Sequence, residues 1–156
     1  MSVRRGVRVG VDVGSVRVGV ARSDPDGLIA TPVETVRRTP GQDGSARVVE
    51  IVREFDAVEV VVGLPRSLDG RERAAAGLAR GYARTIARAV APVPVRLVDE
   101  RFSTSTAQRA MTASGRRARD QRSVVDQVAA VVILQAALDL ERSTGTPPGT
   151  ELTSGG

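Results

Sequence analysis

Three acidic positions in this chain stand where an acid is costly. Asp12 interrupts Val9-Gly10-Val11-Asp12-Val13, where valines alternate as they do along a β-strand. Asp99 and Glu100 close the segment that begins Val95-Arg96-Leu97-Val98. Asp126 starts a helical stripe whose next members are Ala129, Ala130, Ile133 and Ala137, so the acid shares a face with small apolar residues. A carboxylate among apolar neighbours must meet a cation or hydrogen-bond donors to offset its lost hydration. The chain has no histidine and no cysteine. Thiolate nucleophiles, disulfides, Cys/His zinc sites and Ser-His-Asp triads are therefore excluded. Converging carboxylates without imidazole, thiolate or lysine suit a hard cation, Mg²⁺ or Mn²⁺, as one or two ions. Such ions activate water and stabilise the leaving oxygen of a phosphodiester.

Each acid also has a plainer reading. Asp12 could cap its own turn, since Gly14 and Ser15 follow it. Asp126 could be an acid of the first helical turn, where the macrodipole favours it. What separates the readings is whether the elements bring the acids together. Val7 to Val13 reads as strand one and Arg17 to Ser23 as strand two, antiparallel across a tight turn. Ile29 to Val36 is strand three, with Pro32 hinting at an edge. Ser45 to Phe55 is an amphipathic helix, with Val48, Ile51, Val52 and Phe55 on one face. Ala57 to Val62 is strand four, apolar enough to be covered on both faces. Gly63 to Gly70 is then a loop, followed by an alanine-rich helix from Glu72 to Val90. Val95 to Asp99 is strand five. A helix capped by Ser103 or Thr104 runs to Ala113, Gly115 to Arg122 is a basic loop, and Ser123 caps a last helix from Val124 to Arg142.

This order predicts an α/β fold on a mixed five-stranded sheet flanked by helices. Strands one to three form an antiparallel meander, and strands four and five run parallel to strand one. One domain is expected over residues 1–142, with 143–156 a disordered C-terminal tail of linker composition. Strand one should be central, strand five on its parallel side, and the last helix beside their ends. No apolar run reaches membrane length and no signal-like core follows Arg4 and Arg5, so the expected location is the cytoplasm, without membrane.

The 23 basic residues are all arginine and the net charge is +5. A basic surface of this kind fits a polyanion. Aromatics are limited to Phe55, Tyr82 and Phe102, so a nucleic acid would be held through phosphates and shape rather than base stacking. Candidate contacts are Gly14 and Ser15, where a phosphate can approach the backbone, and Arg17. Others are Arg66 in the loop after strand four, Arg101 beside Glu100, and Arg116, Arg117, Arg119 and Arg122 ahead of the Asp126 helix.

Four motifs occur in order: Val-Asp-Val-Gly-Ser-x-Arg-x-Gly-Val-Ala from Val11, Val-Gly-Leu-Pro-Arg-Ser-Leu-Asp-Gly from Val62, Val-Asp-Glu-Arg-Phe-Ser-Thr from Val98, and Val-Asp-Gln-x-Ala-Ala-x-x-Ile-Leu from Val125. Together they resemble the YqgF family of bacterial proteins described as pre-16S rRNA nucleases or Holliday junction resolvases. The resemblance spans about Arg8 to Leu140. It implies an RNase H-like fold and a metal-dependent catalytic triad on Asp12, Glu100 and Asp126. Strand alternation leaves Asp99 and Glu100 open as the ligand, since one residue of register exchanges their faces; the resemblance selects Glu100. Val16 stands where the family often has a basic residue. The implied activity is endonucleolytic hydrolysis at the 5′ end of pre-16S rRNA, with the ribosome or its small-subunit precursor as partner and a monomer or weak homodimer as the assembly. The alternatives are a resolvase acting on branched DNA, which would need a symmetric dimer, and a non-catalytic ribosome-assembly factor that binds nucleic acid. A phosphate loop of the actin-like ATPase kind is disfavoured, because that fold needs two such domains.

Overall fold

The computed structural model describes residues 4–65, 74–100 and 118–152, with the backbone alone over 118–125. Six strands form one sheet in the order β3-β2-β1-β4-β5-β6. β1 (Arg8–Val13), β2 (Arg17–Ser23) and β3 (Ala30–Arg37) are the antiparallel meander. β4 (Glu59–Leu64) pairs parallel with β1, and β5 (Val95–Asp99) parallel with β4. β3 is an edge strand. Its Pro32 sits where the β2–β3 register shifts, between Val20 and Ala21, so the missing amide costs no regular ladder bond.

Alternation sorts the side chains to two faces. Val9 and Val11 of β1, Val18 and Val20 of β2, Val60 and Val62 of β4, and Val95 and Leu97 of β5 meet two helices on one face. Those helices are α1 (Ser45–Glu54) and α2 (Ala74–Val90), which contribute Val48, Ile51, Val52, Ala83 and Ile86. The other face is covered by α3 (Ala118–Thr144), whose Ala130, Ile133, Leu134, Ala137 and Leu138 pack on Ala21, Ala30 and Val61. Asp12 alternates with Val11 and Val13, so it lies on the α3 face.

Three expectations are corrected. The sheet has six strands rather than five. The extra one, β6 (Thr150–Leu152), comes from the segment expected to be disordered, and it pairs antiparallel with β5. Leu152 packs on the core, and Arg96 of β5 bonds Glu151 at 3.1 Å. Three residues are too short to show alternation against a Gly/Pro/Thr background. The last helix begins at Ala118, not after Ser123, because Ala118 to Arg122 contains no Gly or Pro to stop it. Asp126 is therefore in the helix interior, and the first-turn reading falls. β4 extends to Leu64, so Gly63 is a strand residue rather than the start of a loop. The helix expected between Ser103 and Ala113, and residues 66–73, lie outside the described residues.

The end of the sheet away from Asp12 is fastened by buried charge. Glu59 of β4 accepts from Arg4 at 2.9 Å and from Arg96 at 2.8 Å. Glu141 of α3 accepts from Arg4 at 2.7 Å and from Arg8 of β1 at 3.3 Å. Arg8, Glu59 and Glu141 are each at most 3% exposed. Burial alone would raise the Glu141 carboxyl, but the hydrogen bonds and charge of Arg4, with Arg8, outweigh it and hold it below its ordinary value. Glu141 lies at the C-terminal end of α3 and Asp126 nearer the other, so this network fixes how α3 crosses the sheet. Among the described residues no helix is long and apolar enough to cross a membrane.

Candidate active site

Asp12 sits one residue from the end of β1, directly across from Gly19 of β2. Gly19 has no side chain because α3 lies on it: an added Cβ would collide with the backbone carbonyl oxygen of Asp126. The small residue at 19 is thus what lets α3 bring Asp126 down beside Asp12. Gln127, the next residue, ties α3 to the meander by donating Nε2–H to Thr35 Oγ1 at 3.0 Å.

Glu100 reaches the same place from β5. Its amide continues the ladder, bonding Leu64 O at 3.3 Å. Its Oε2 is buried and lies over Gly63, where a Cβ would meet both that oxygen and Ile133 Cδ1 of α3. Gly63 follows Val62, whose register partner is Val11. Glu100 is therefore on the α3 face beside Asp12, while Asp99 is exposed. Of the two acids that alternation left open in the sequence, it is Glu100 that shares the α3 face with Asp12, because the ladder carries on past β5.

The electrostatics reflect this convergence. Burial, then the charge of Asp126, pushes the Asp12 carboxyl up to about 6. Burial, then Asp12 and Asp99, pushes Glu100 up to about 7. Asp126 has a cation of its own: Arg17 Nε–H donates to its Oδ2 at 2.8 Å. Among the described residues no three acidic side chains, as they stand, form a group able to hold one metal ion. Arg17 instead neutralises the third acid of the set.

The remaining expected contacts divide. The Gly14 amide closes the β1–β2 turn by donating to Arg17 O at 2.9 Å, so it is used within the turn and is not open to a phosphate. Ser15 and Val16 form the exposed tip. Arg119 and Arg122 fall on α3 rather than on a loop. Arg66, Arg101, Arg116 and Arg117 lie outside the described residues. Sequence reading missed Arg38, whose Nη1–H donates to Gly14 O at 2.8 Å and whose amide bonds Val16 O at 2.8 Å, bracing the turn after Asp12. No spacing rule marks it, because β3 register brings it there.

With this geometry in place, comparison with known proteins is decisive. Residues 6–140 match the family described as RuvX, Holliday junction resolvase. The chain belongs to the RuvX family. Relatives include a Streptomyces coelicolor protein named "Putative pre-16S rRNA nuclease", 55% identical over 94% of this chain and 88% of that one. Proteins of the same name from Clavibacter michiganensis (56% identical, 94% and 91% covered) and Thermobifida fusca (54%, 98% and 99%) align as fully. The structure of Thermus thermophilus RuvC in complex with a Holliday junction substrate aligns with a TM-score of 0.56 at 20% identity, covering 94% of this chain and 99% of that one. That likeness shows the RNase H-like fold of the RuvX chain. By family the chain is a nuclease, a hydrolase acting on ester bonds.

Proposed function

We propose that this RuvX-family chain is a divalent-metal-dependent endonuclease that processes the 5′ end of pre-16S rRNA, with Asp12, Glu100 and Asp126 as its catalytic and metal-binding residues. The observation that carries the proposal is the placing of Asp12, half-buried and raised, between two other acids on the α3 face. The donor set fits Mg²⁺ or Mn²⁺: every candidate atom is a carboxylate oxygen. Burial first, and then the charge of neighbouring acids, raises Asp12 and Glu100, and a bound dication would offset both. When bound, one or two such ions supply an activated water and stabilise the leaving oxygen. The chain's own residues do the rest. Gly19 and Gly63 let α3 and Glu100 close on Asp12. Arg17 balances Asp126 and stands ready as a cation for a phosphate. Ile133 of α3 lies over Gly63 beside the buried Glu100 Oε2.

The name of the relatives favours precursor rRNA as substrate, and that reading carries with it the ribosome or its small-subunit precursor as partner and the cytoplasm as location. The family description supports a second reading, resolution of branched DNA. Two labelled substrates separate them: an RNA spanning the immature 5′ end of 16S rRNA, and a four-way DNA junction, each with Mg²⁺ or Mn²⁺. Cutting of the RNA alone is expected from a monomer or weak dimer. Paired symmetric cuts in the junction would select the resolvase reading. Binding without any cutting would favour a non-catalytic assembly factor.

A further inference from the structure

Seven of the described arginines are held by carboxylates, and position in the fold separates the others. Arg4, Arg5, Arg8, Arg17, Arg47, Arg96 and Arg142 each pair with a carboxylate. Arg37 is exposed at the end of β3 and makes no salt bridge among the described residues. It stands directly across from Arg17 in the β2–β3 ladder. Like charges directly opposite each other on two strands repel, so this register carries an electrostatic cost. Asp126 relieves it on the Arg17 side alone. The next residue, Arg38, has its guanidinium over the Tyr82 ring at 5.1 Å and bonded to Gly14 O. That guanidinium is therefore held in place at the turn that follows Asp12.

Between the β3–α1 loop and α1 lies a cleft of about 880 Å³. Its walls include Asp43 and Glu50, whose charges face Arg38 and Arg47. Arg38 and Arg47 thus have facing carboxylates, whereas Arg37 has none among the described residues.

We infer that Arg37, beside Arg17 on the α3 face of the sheet, forms a phosphate-binding ridge that holds the backbone of the substrate strand as it leaves the acidic site past the β1–β2 turn, which Arg38 braces from the other face. The ligand class is a nucleic-acid phosphodiester chain, read without base specificity, because the ridge offers guanidinium groups and no aromatic platform beside them free to stack. The inference rests on the nuclease reading for its substrate, but its test does not depend on cleavage.

The test is binding of a labelled 16S-precursor RNA, and separately of a four-way DNA junction, to Asp12→Asn protein across a salt series. Added Arg37→Gln is expected to weaken binding about three- to ten-fold and to reduce the magnitude of the slope of log affinity against log salt by about one contact's worth, roughly 0.7–0.9. Arg37→Lys should retain most of the affinity. Arg88→Gln, an exposed arginine on α2, serves as the control and should change neither quantity. Arg37 is exposed and has no ion-pair partner among the described residues, so its variants isolate binding from folding, whereas Arg38→Gln also loosens the turn. Arg37→Gln with the affinity and slope of the control overturns the ridge, as does a wild-type chain that binds neither probe. An inactive wild type with Arg37-dependent binding would end the nuclease reading and leave the ridge standing.

Discussion

At the scale of single residues, the site is defined by acids that are hard to ionise where they stand. The Asp12 carboxyl is pushed up to about 6 by burial and Asp126, and Glu100 to about 7 by burial and its acidic neighbours. Both values lie above the ordinary carboxylate range of about 4. Between that range and about pH 7 the folded chain holds more protons than the unfolded one, so the metal-free protein loses stability as pH rises. Melting temperatures in chelator from pH 4.5 to 8 should show this fall, and Asp12→Asn should flatten it. A dication must displace the same protons. Mn²⁺ affinity is therefore expected to climb between pH 5 and 8, and calorimetry that finds it level would contradict the assignment. Arg17 shows how a residue type can be legible while its role is not. Its charge near Asp12 is plain in the sequence, but its bond to Asp126 spans 109 positions and appears only once the strands and α3 are paired.

At the scale of elements, α3 delivers Asp126 and β5 delivers Glu100, each through a glycine. Gly63→Ala puts a methyl against Glu100 Oε2 and Ile133 Cδ1, both ends of side chains that can turn aside. The fold should lose only about 1 kcal/mol, while metal affinity and cleavage fall at least about tenfold. Cleavage at the wild-type rate would show that Glu100 is not needed where it sits. Gly19→Ala meets the Asp126 backbone instead, which cannot rotate away. It should cost on the order of 1–3 kcal/mol in denaturant unfolding and displace α3. At the far end of α3, Glu141→Gln leaves Arg4 and Arg8 short of a buried partner and should cost roughly 3 kcal/mol. The Glu141 carboxyl is held below its ordinary value, so its contribution is present above the unfolded range and lost as pH falls. Acid titration of the melting temperature should be shallower in Glu141→Gln than in the wild type.

At the scale of the whole molecule, the plan of a meander followed by parallel strands was readable because valines alternate through β1, β2 and β4 and because α1 carries its apolar residues on one stripe. Three features escaped that kind of reading. β6 is three residues long and is held by the open edge of β5, which no local pattern announces. The start of α3 was hidden by arginines that suit a helix as well as a loop. The ion network of Arg4, Arg8, Glu59 and Glu141 joins positions up to 137 apart, so its members look like ordinary surface charges in the sequence. The candidate acids were visible because each breaks an apolar pattern, and the element order already placed them at neighbouring ends; which of Asp99 and Glu100 faces Asp12 was not legible, because it depends on register. The most direct test of the central claim compares wild type with Asp12→Asn on the precursor RNA, with Mg²⁺ present and absent, after matching their RNA affinities. The account predicts metal-dependent cleavage by the wild type and a loss on the order of a hundredfold or more in the variant at unchanged binding. Equal cleavage by the two proteins, or cleavage by the wild type that persists in chelator, would contradict it.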